Sequence, residues 1–468
     1  MSKKCQIRFA RGDYDRIIRH LFPGDHDEHG AVLLAGLSMK QGRVTLLVRE
    51  VHVAREGVDY VKGNIGYRAL APSFIHQMIT RARDQRLVYL AVHNHAADTS
   101  VNFSSIDLES HCRGYPALLQ IAKGMPVGAL VFGRRSIQAD LWMPDGSRQQ
   151  LEHATIVGST IEQLGPRPLR KKSAMIDDYD RQIRMFGKAG QRRLADCKVA
   201  VIGLGGIGSL VVEYLARLGV GNFLLVDDDQ VEVSNLSRIV GASATDAEAK
   251  RYKTEVAERL IRQANTSAKI ESVITDVATY SVAMRLVSSD YVFLAADSMR
   301  ARLVVNAIVQ QYLIPGVQLG AKISADEDGA LLDVMSVNRP LRPGLSCLWC
   351  SQLIDANALA VEAKTDEDRK QQAYGTSEPN PSVITLNAVS ASHAVNDFLL
   401  DFLALREESN DVLFEHHHHL THKLSRVLPR SDENCTECGK KHFRFARGDG
   451  ADLPCLWSEE CNSNKRLA

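Results

Sequence analysis

The sequence has 468 residues, 45% apolar and 24% charged, with a formal net charge of +1. That length supports two to four domains with real cores, at roughly 100–200 residues each, and the near-neutral charge argues against a nucleic-acid partner. No stretch approaches the roughly 18 uncharged apolar residues of a membrane span, and the start Met1-Ser-Lys-Lys-Cys-Gln6 lacks a signal-peptide core, so a cytoplasmic enzyme is expected.

In chain order, apolar runs predict strands at Ala31–Leu37, Arg43–Val53, Leu87–Val92 and Val127–Phe132, with helices over Ser73–Gln85 and Asp107–Lys123 between them. Ser73 and Asp107 are the expected N-caps. These elements form a first domain over residues 1–160, of mixed α/β or α+β type. The Pro- and Lys-rich stretch 161–173 reads as a linker. Beyond it the rhythm becomes strand–turn–helix–strand: strand Lys198–Gly203, helix Gly208–Leu218, strand Asn222–Val226, helix Ala247–Gln263, strand Tyr291–Ala296, helix Met299–Gln311 and a long helix Ile384–Leu405. That is an α/β domain with a parallel sheet over 174–440, followed by a C-terminal tail at 441–468. The run His416–His419 is expected at a loop or helix end.

In the first domain the strand Leu87–Val92 leads into His93-Asn-His95, with Ser104-Ser-Ile-Asp107 downstream. Alternate residues of a strand share a face, so His93 and His95 can bind one metal together. Asp107, at a helix start, supplies a third ligand and leaves a fourth position for water; Glu28, ahead of a strand, can activate that water. These residues resemble the JAB/MPN (JAMM) zinc metallopeptidases over about residues 5–145. The resemblance implies hydrolysis of peptide or isopeptide bonds after a ubiquitin-like C-terminus, with Ser104 stabilising the oxyanion. Two features depart from the family pattern. Asn94 stands where Ser or Thr is usual, and the gap from His95 to Ser104 is longer than usual, so the loop must bulge for Asp107 to reach the metal. Asp98 is a weaker substitute ligand.

In the second domain Gly203-Leu-Gly-Gly-Ile-Gly208 follows a strand and opens a helix, where bare backbone N–H groups suit phosphates. Gly203, Gly205, Gly206 and Gly208 form the loop, and Asp227, ending the next strand, suits a ribose hydroxyl. A dehydrogenase still fits at that point. Asp229, Asn235, Arg238, Lys253 and Asp297 then follow, with Arg181 upstream. This set resembles the ThiF/MoeB/ubiquitin-activating E1 superfamily over about Asp178 to Cys438. The resemblance implies adenylation of a ubiquitin-like protein's C-terminal glycine by ATP and Mg²⁺. In it Arg238 and Lys253 neutralise phosphates, Asp297 coordinates Mg²⁺, and Arg181 reaches the nucleotide from the other protomer of a homodimer. Asn235, Arg238 and the cysteine pairs have no role in a dehydrogenase.

Nine cysteines include the pairs Cys347–Cys350 and Cys435–Cys438. Two such pairs in a chain without a secretion signal suit a structural Zn²⁺, which the superfamily carries at matching places. Many activating enzymes have a cysteine nucleophile in the following loop, but Ser351–Val383 contains none. The acyl-adenylate then passes straight to a partner, or Thr376, Ser377, Cys455 or Cys461 takes it up. The combined resemblance is to JAB–E1 fusions of bacterial ubiquitin-like conjugation operons, which implies a separate ubiquitin-like protein, an E2-like carrier and a place in antiphage defence. Sulfur-carrier activation and a non-catalytic ubiquitin-like binding scaffold are the alternatives.

Overall fold

The computed structural model describes residues 4–40, 42–61, 69–167, 179–326, 328–362, 381–409 and 411–455. They fall into two compact units: one of residues 1–173 with 311–313 and 443–452, the other holding the remainder.

The first unit is built from β1 (Lys4–Ala10), α1 (Arg11–Leu21), β2 (Gly30–Lys40), β3 (Arg43–Val53), α2 (Pro72–Gln85), β4 (Val88–Asn94), α3 (Ser105–Ala122), β5 (Val127–Gly133), β6 (Ser136–Trp142), β7 (Arg148–Val157) and β8 (Ile161–Leu164). The sheet order is β1-β3-β2-β4-β5-β6-β7-β8, and β1 also pairs in parallel with β7, so the sheet closes on itself. Strand alternation sorts the apolar residues into two cores. Ile7, Phe9, Leu33, Val48, Leu90 and Phe132 join Tyr14 and Ile17 of α1 in one. The alternate residues Val32, Leu34, Tyr89 and Val127 pack with Phe74 and Met78 of α2 and Tyr115 of α3 in the other.

The second unit contains α4 (Asp180–Asp196), β9 (Lys198–Ile202), α5 (Gly206–Arg217), β10 (Asn222–Val226), α6 (Ala244–Glu248), α7 (Lys253–Ala264), β11 (Lys269–Val273), α8 (Tyr280–Leu286), β12 (Tyr291–Leu294), α9 (Met299–Tyr312), β13 (Gly316–Ala325), β14 (Leu331–Leu341), α10 (Ala356–Glu362), α11 (Ile384–Phe402), β15 (Phe414–His418) and β16 (Lys423–Val427). Its sheet runs β11-β10-β9-β12-β13-β14-β15-β16. β11, β10, β9, β12 and β13 are parallel and the last three strands antiparallel. The chain leaves β9 for β10 on one side and returns to β12 on the other. A crevice therefore opens beyond the carboxyl end of β9, the switch point where such folds bind ligands.

Several elements differ from the sequence reading. α2 is capped by Ala71 with Pro72 at its first position, not by Ser73. α3 is capped by Ser104, whose side chain and that of Asp107 bond reciprocally to each other's backbone N–H, so Asp107 is the box partner and not the cap. The helix expected over Ala247–Gln263 is broken at Lys250, which takes φ 48°. The break lets Asp246 of α6 accept hydrogen bonds of 2.9 and 2.7 Å from Arg259 of α7. Residues 161–164, placed in the linker, are β8, antiparallel to β7. Part of the expected tail joins the first unit: the Asp449 N–H donates to Leu37 O at 2.8 Å, and its carboxylate accepts from the Met39 N–H at 2.8 Å. The histidine run is not a loop or helix end but mostly β15, held between β14 and β16. Among the described residues no helix is long and apolar enough to cross a membrane.

Candidate functional site

Two side-chain constellations and one thiol cluster stand out, and each is built differently. In the first unit β4 carries His93, and His95 follows one residue beyond the strand. Their Nε2 atoms are 3.2 Å apart. The Asp107 carboxylate, delivered by the first turn of α3, lies 3.6 Å from His93 Nε2 and 3.5 Å from His95 Nε2. A tetrahedral zinc with bonds of about 2.0–2.1 Å has ligand-to-ligand edges of about 3.3 Å, so the three donors fit such an ion without rebuilding. Glu28, just ahead of β2, stands 3.8 Å from His95 Nε2.

The electrostatics follow from this packing. Burial raises the Glu28 carboxyl, against the pull of His93 and His95. Burial would also raise Asp107, but His93, His95 and Ser104 outweigh it and hold that carboxylate well below its usual range. His95 is raised, first by its contact with Asp107. An acid kept charged between two imidazoles suits a ligand; a carboxyl made more basic beside them suits a proton acceptor.

The longer loop does bring Asp107 into reach. Its backbone is tied to the β5–β6 turn by Arg134 N–H to Ala97 O and Arg135 N–H to Asp98 O, each 2.9 Å. Asp98 turns away to Arg135, at 2.7 and 3.0 Å, and joins no ligand set. Asn94 also points elsewhere: its Oδ1 accepts from the His29 N–H at 2.6 Å, fastening the strand of the two histidines to the segment that carries Glu28. Ser104, expected at an oxyanion, instead donates its hydroxyl to Asp107 Oδ2 at 2.7 Å as part of the helix cap.

In the second unit the glycine loop occupies the crevice at the end of β9. Gly203 has φ 85°, and a Cβ there would meet the backbone of Ala295 and Ala296; a Cβ on Gly208 would overlap the Gly203 carbonyl. Gly206 opens α5 with Gly205 as its cap, leaving the first-turn N–H groups facing the crevice. The side chain of Asp227 is nearly enclosed just past the neighbouring strand, where it accepts from the Leu204 N–H at 2.6 Å and the Asp229 N–H at 2.9 Å. Burial raises its carboxyl, with Lys253 as the main opposing influence. Lys253 Nζ bonds Asp229 Oδ2 at 2.5 Å and lies 3.9 Å from Asp227.

The stem of Arg238 lies against Gly206, and its guanidinium donates to Ser234 O at 2.8 Å. Asn235 is buried, its Oδ1 accepting from the Glu232 N–H at 3.3 Å, so it shapes the turn before Arg238. Asp297 follows β12 by three residues, just past the Ala295–Ala296 backbone that Gly203 abuts. Arg181 is exposed in the first turn of α4. One residue at the loop escaped the sequence reading. Asn387 of α11 is buried, with Nδ2 pressed against Gly206 and donating to Ser382 Oγ at 3.1 Å. The helix carries several other polar residues, so nothing in the sequence singled it out.

The four thiols of Cys347, Cys350, Cys435 and Cys438 converge with all sulfurs within 4.8 Å of one another, and Cys350 and Cys438 are 3.6 Å apart. Tetrahedral zinc–thiolate bonds of about 2.3 Å give sulfur–sulfur edges of about 3.8 Å, so the cluster fits Zn²⁺. Cys455 is partly exposed, while Thr376, Ser377 and Cys461 lie outside the described residues.

The sequence model of the ThiF family matches residues 179–436, more than half the chain. The SAMP-activating enzyme E1 of Haloferax volcanii is 36% identical over 145 residues, 31% of this chain and 53% of that protein. The molybdopterin-synthase adenylyltransferase of Escherichia coli is 36% identical over 189 residues, 40% of this chain and 72% of that protein. Among solved structures, E. coli MccB with ATP has a TM-score of 0.45 and 22% identity, covering 57% of this chain and 75% of that one. The chain spans about half the length of the first curated relatives it matches.

Proposed function

The chain belongs to the ThiF family, whose E1-like members are adenylyltransferases, and on that premise we propose that it activates the C-terminal glycine of a ubiquitin-like protein with Mg-ATP. The carrying observation is the glycine loop at the β9 switch point with Asp227, Lys253 and Arg238 around it. The reaction joins a carboxylate oxygen to the α-phosphorus and breaks the bond to the β-phosphate, releasing pyrophosphate. Several negative groups meet there, so catalysis is mainly positioning and cationic stabilisation. Loop N–H groups receive phosphate oxygens and Asp227 holds the ribose. Lys253 exchanges its Asp229 partner for phosphate, and Asp297 would hold Mg²⁺. Arg181, exposed on α4, is offered to the nucleotide of a second copy. The four-cysteine cluster holds a zinc that fastens the chain around α10 and α11 and takes no part in the chemistry. The test is ATP–pyrophosphate exchange with candidate carriers ending in glycine; no carrier-dependent exchange would exclude the reading.

A second reading rests on its own observation, the convergence of His93, His95 and Asp107 beside Glu28. We propose a JAMM-type hydrolase centre that cuts after the same class of C-terminus, trimming a precursor or removing a conjugate. Zinc held by these three residues would supply Lewis acidity and an acidified water. Glu28 accepts the water proton and returns it to the leaving amine, and Asn94 keeps Glu28 in register with the histidines. Because Ser104 is engaged with Asp107, its help at the oxyanion requires that hydroxyl to turn. Incubation with a carrier bearing extra C-terminal residues tests this by mass; an uncut carrier in the zinc-loaded enzyme rejects it.

Two of the matched relatives are named for different carriers, a SAMP-activating E1 and a sulfur-carrier adenylyltransferase. The product separates these branches. A carrier linked to another protein supports conjugation, with an E2-like partner and a role in bacterial defence, whereas a C-terminal thiocarboxylate supports sulfur transfer. Carrier binding with neither ATP turnover nor cleavage would leave only a scaffold.

A further inference from the structure

We propose that His393, Glu415 and His417 form a further divalent-metal site, suited to Zn²⁺, that pins β15 to α11. One donor atom from each residue lies within 4.8 Å of the other two. The alternation of β15 makes the site: Glu415 and His417 face one way, while His416 and His418 face the other, towards Arg339 and Asp333. The first of these faces is turned to α11, since His419, next in the same alternation, bonds Ser336 Oγ at 2.7 Å and that hydroxyl donates to Leu386 O at 3.1 Å. His393 projects from α11 to meet it, with its Nδ1 3.5 Å from Glu415 Oε2 and its ring 4.3 Å from that of His417.

A second, independent observation points to a missing ligand. The Nε2 atom of His417 is buried and has no hydrogen-bond partner among the described residues. A buried polar atom left so costs about 1–3 kcal/mol, and an ion in the site is one of the ordinary explanations. Glu415 is meanwhile braced from outside: Arg426 Nε donates to its Oε1 at 3.0 Å, leaving Oε2 for the cluster, as an outer partner orients a metal-bound carboxylate. Two imidazoles and a carboxylate are a borderline donor set that zinc accepts, with water completing the shell. The ion would tie the antiparallel edge of the sheet to the helix whose first turn presses Asn387 on the glycine loop, six residues or about 9 Å before His393.

The test measures Zn²⁺ content and the Zn²⁺-dependent rise in melting temperature of the full chain after chelation and reloading. The His393→Ala/His417→Ala double variant should hold about one equivalent fewer than the unaltered chain and lose part of the rise, while His416→Ala/His418→Ala, on the opposite face, should match the unaltered chain. The Cys347 and His93 clusters are intact in all three, so their zinc is constant. Undiminished zinc in the first variant overturns the proposal, and so does an equal loss in the second, which would make the run an adventitious histidine cluster. Should the first variant fail to fold by circular dichroism, Glu415→Gln keeps the size and the contact with Arg426. It should weaken this zinc by about 10-fold or more in competition with a chromophoric chelator, and unchanged affinity there overturns the proposal equally.

Discussion

The glycine loop of the second unit and the histidine cluster of the first both sit at the carboxyl end of a strand, yet they are made of different material. The loop is backbone: its function depends on what Gly203, Gly206 and Gly208 lack, and its parts lie side by side in the sequence. The cluster is side chain: β4 brings His93, α3 brings Asp107, and the segment before β2 brings Glu28, so its parts meet only because β2 pairs with β4 and α3 starts beside them. A site of the first kind fails when an atom is added; one of the second kind fails when an atom is removed.

The sharpest way to break that contrast is to remove one proton-accepting group. Glu28→Gln should reduce cleavage of a tailed carrier by about 10³-fold, within the range for lost acid–base catalysis, while pyrophosphate exchange and zinc content stay unchanged. Equal loss of both activities would mean the two centres are not separately built. Lys253→Ala is the reciprocal change and should slow exchange by about 10²-fold while cleavage continues; an unaffected exchange rate would remove Lys253 from the phosphate site.

The loop can be probed by adding atoms. A methyl on Gly208 would overlap the Gly203 carbonyl, whereas one on Gly205 meets nothing within 4 Å among the described residues. Gly208→Ala should therefore lower stability by about 2 kcal/mol or more, and Gly205→Ala by less than about 0.5 kcal/mol, as read by denaturant unfolding. Similar costs at both positions would contradict the backbone-built loop.

The smallest effect concerns an ionic clip in the first unit. Arg81 of α2 bonds Glu50 of β3 at 2.7 and 3.1 Å, and His52 adds 2.8 Å. Burial would raise the Glu50 carboxyl, but these hydrogen bonds outweigh it and bring it from 4.5 to about 2. The folded pKa lies below the unfolded one, so the stabilisation is present above pH 4.5 and is lost as pH falls towards 2. Glu50→Gln should cost about 1 kcal/mol at neutral pH, with the difference from the unaltered chain closing over that acid window. A difference that persists at about pH 2 would assign the cost to packing.

Much of the second unit was legible because parallel strands buried on both faces read as short apolar runs, as Asn222–Val226 does, and because a loop defined by missing side chains is written contiguously. The first unit was legible in pieces. Its central strands and the helices α2 and α3 could be located, but α1 was missed, and the parallel pairing of β1 with β7 joins opposite ends of the domain and leaves no local trace. The cap of α3 was misread because two polar residues competed: Ser104 and Asp107 are both good caps, and only the path of the chain assigns them.

By itself the sequence determined the glycine turn, the two thiol pairs and the shared face of His93 and His95, since each follows from spacing along one element. Tertiary structure alone decided that Asp107 reaches both histidines while Asp98 turns to Arg135, that Asn94 ties the histidine strand to Glu28, and that His393 meets Glu415 and His417. The physical reason is the same in each case: a side chain's partner is fixed by which elements pack together, and that packing is decided by cores assembled from the whole unit.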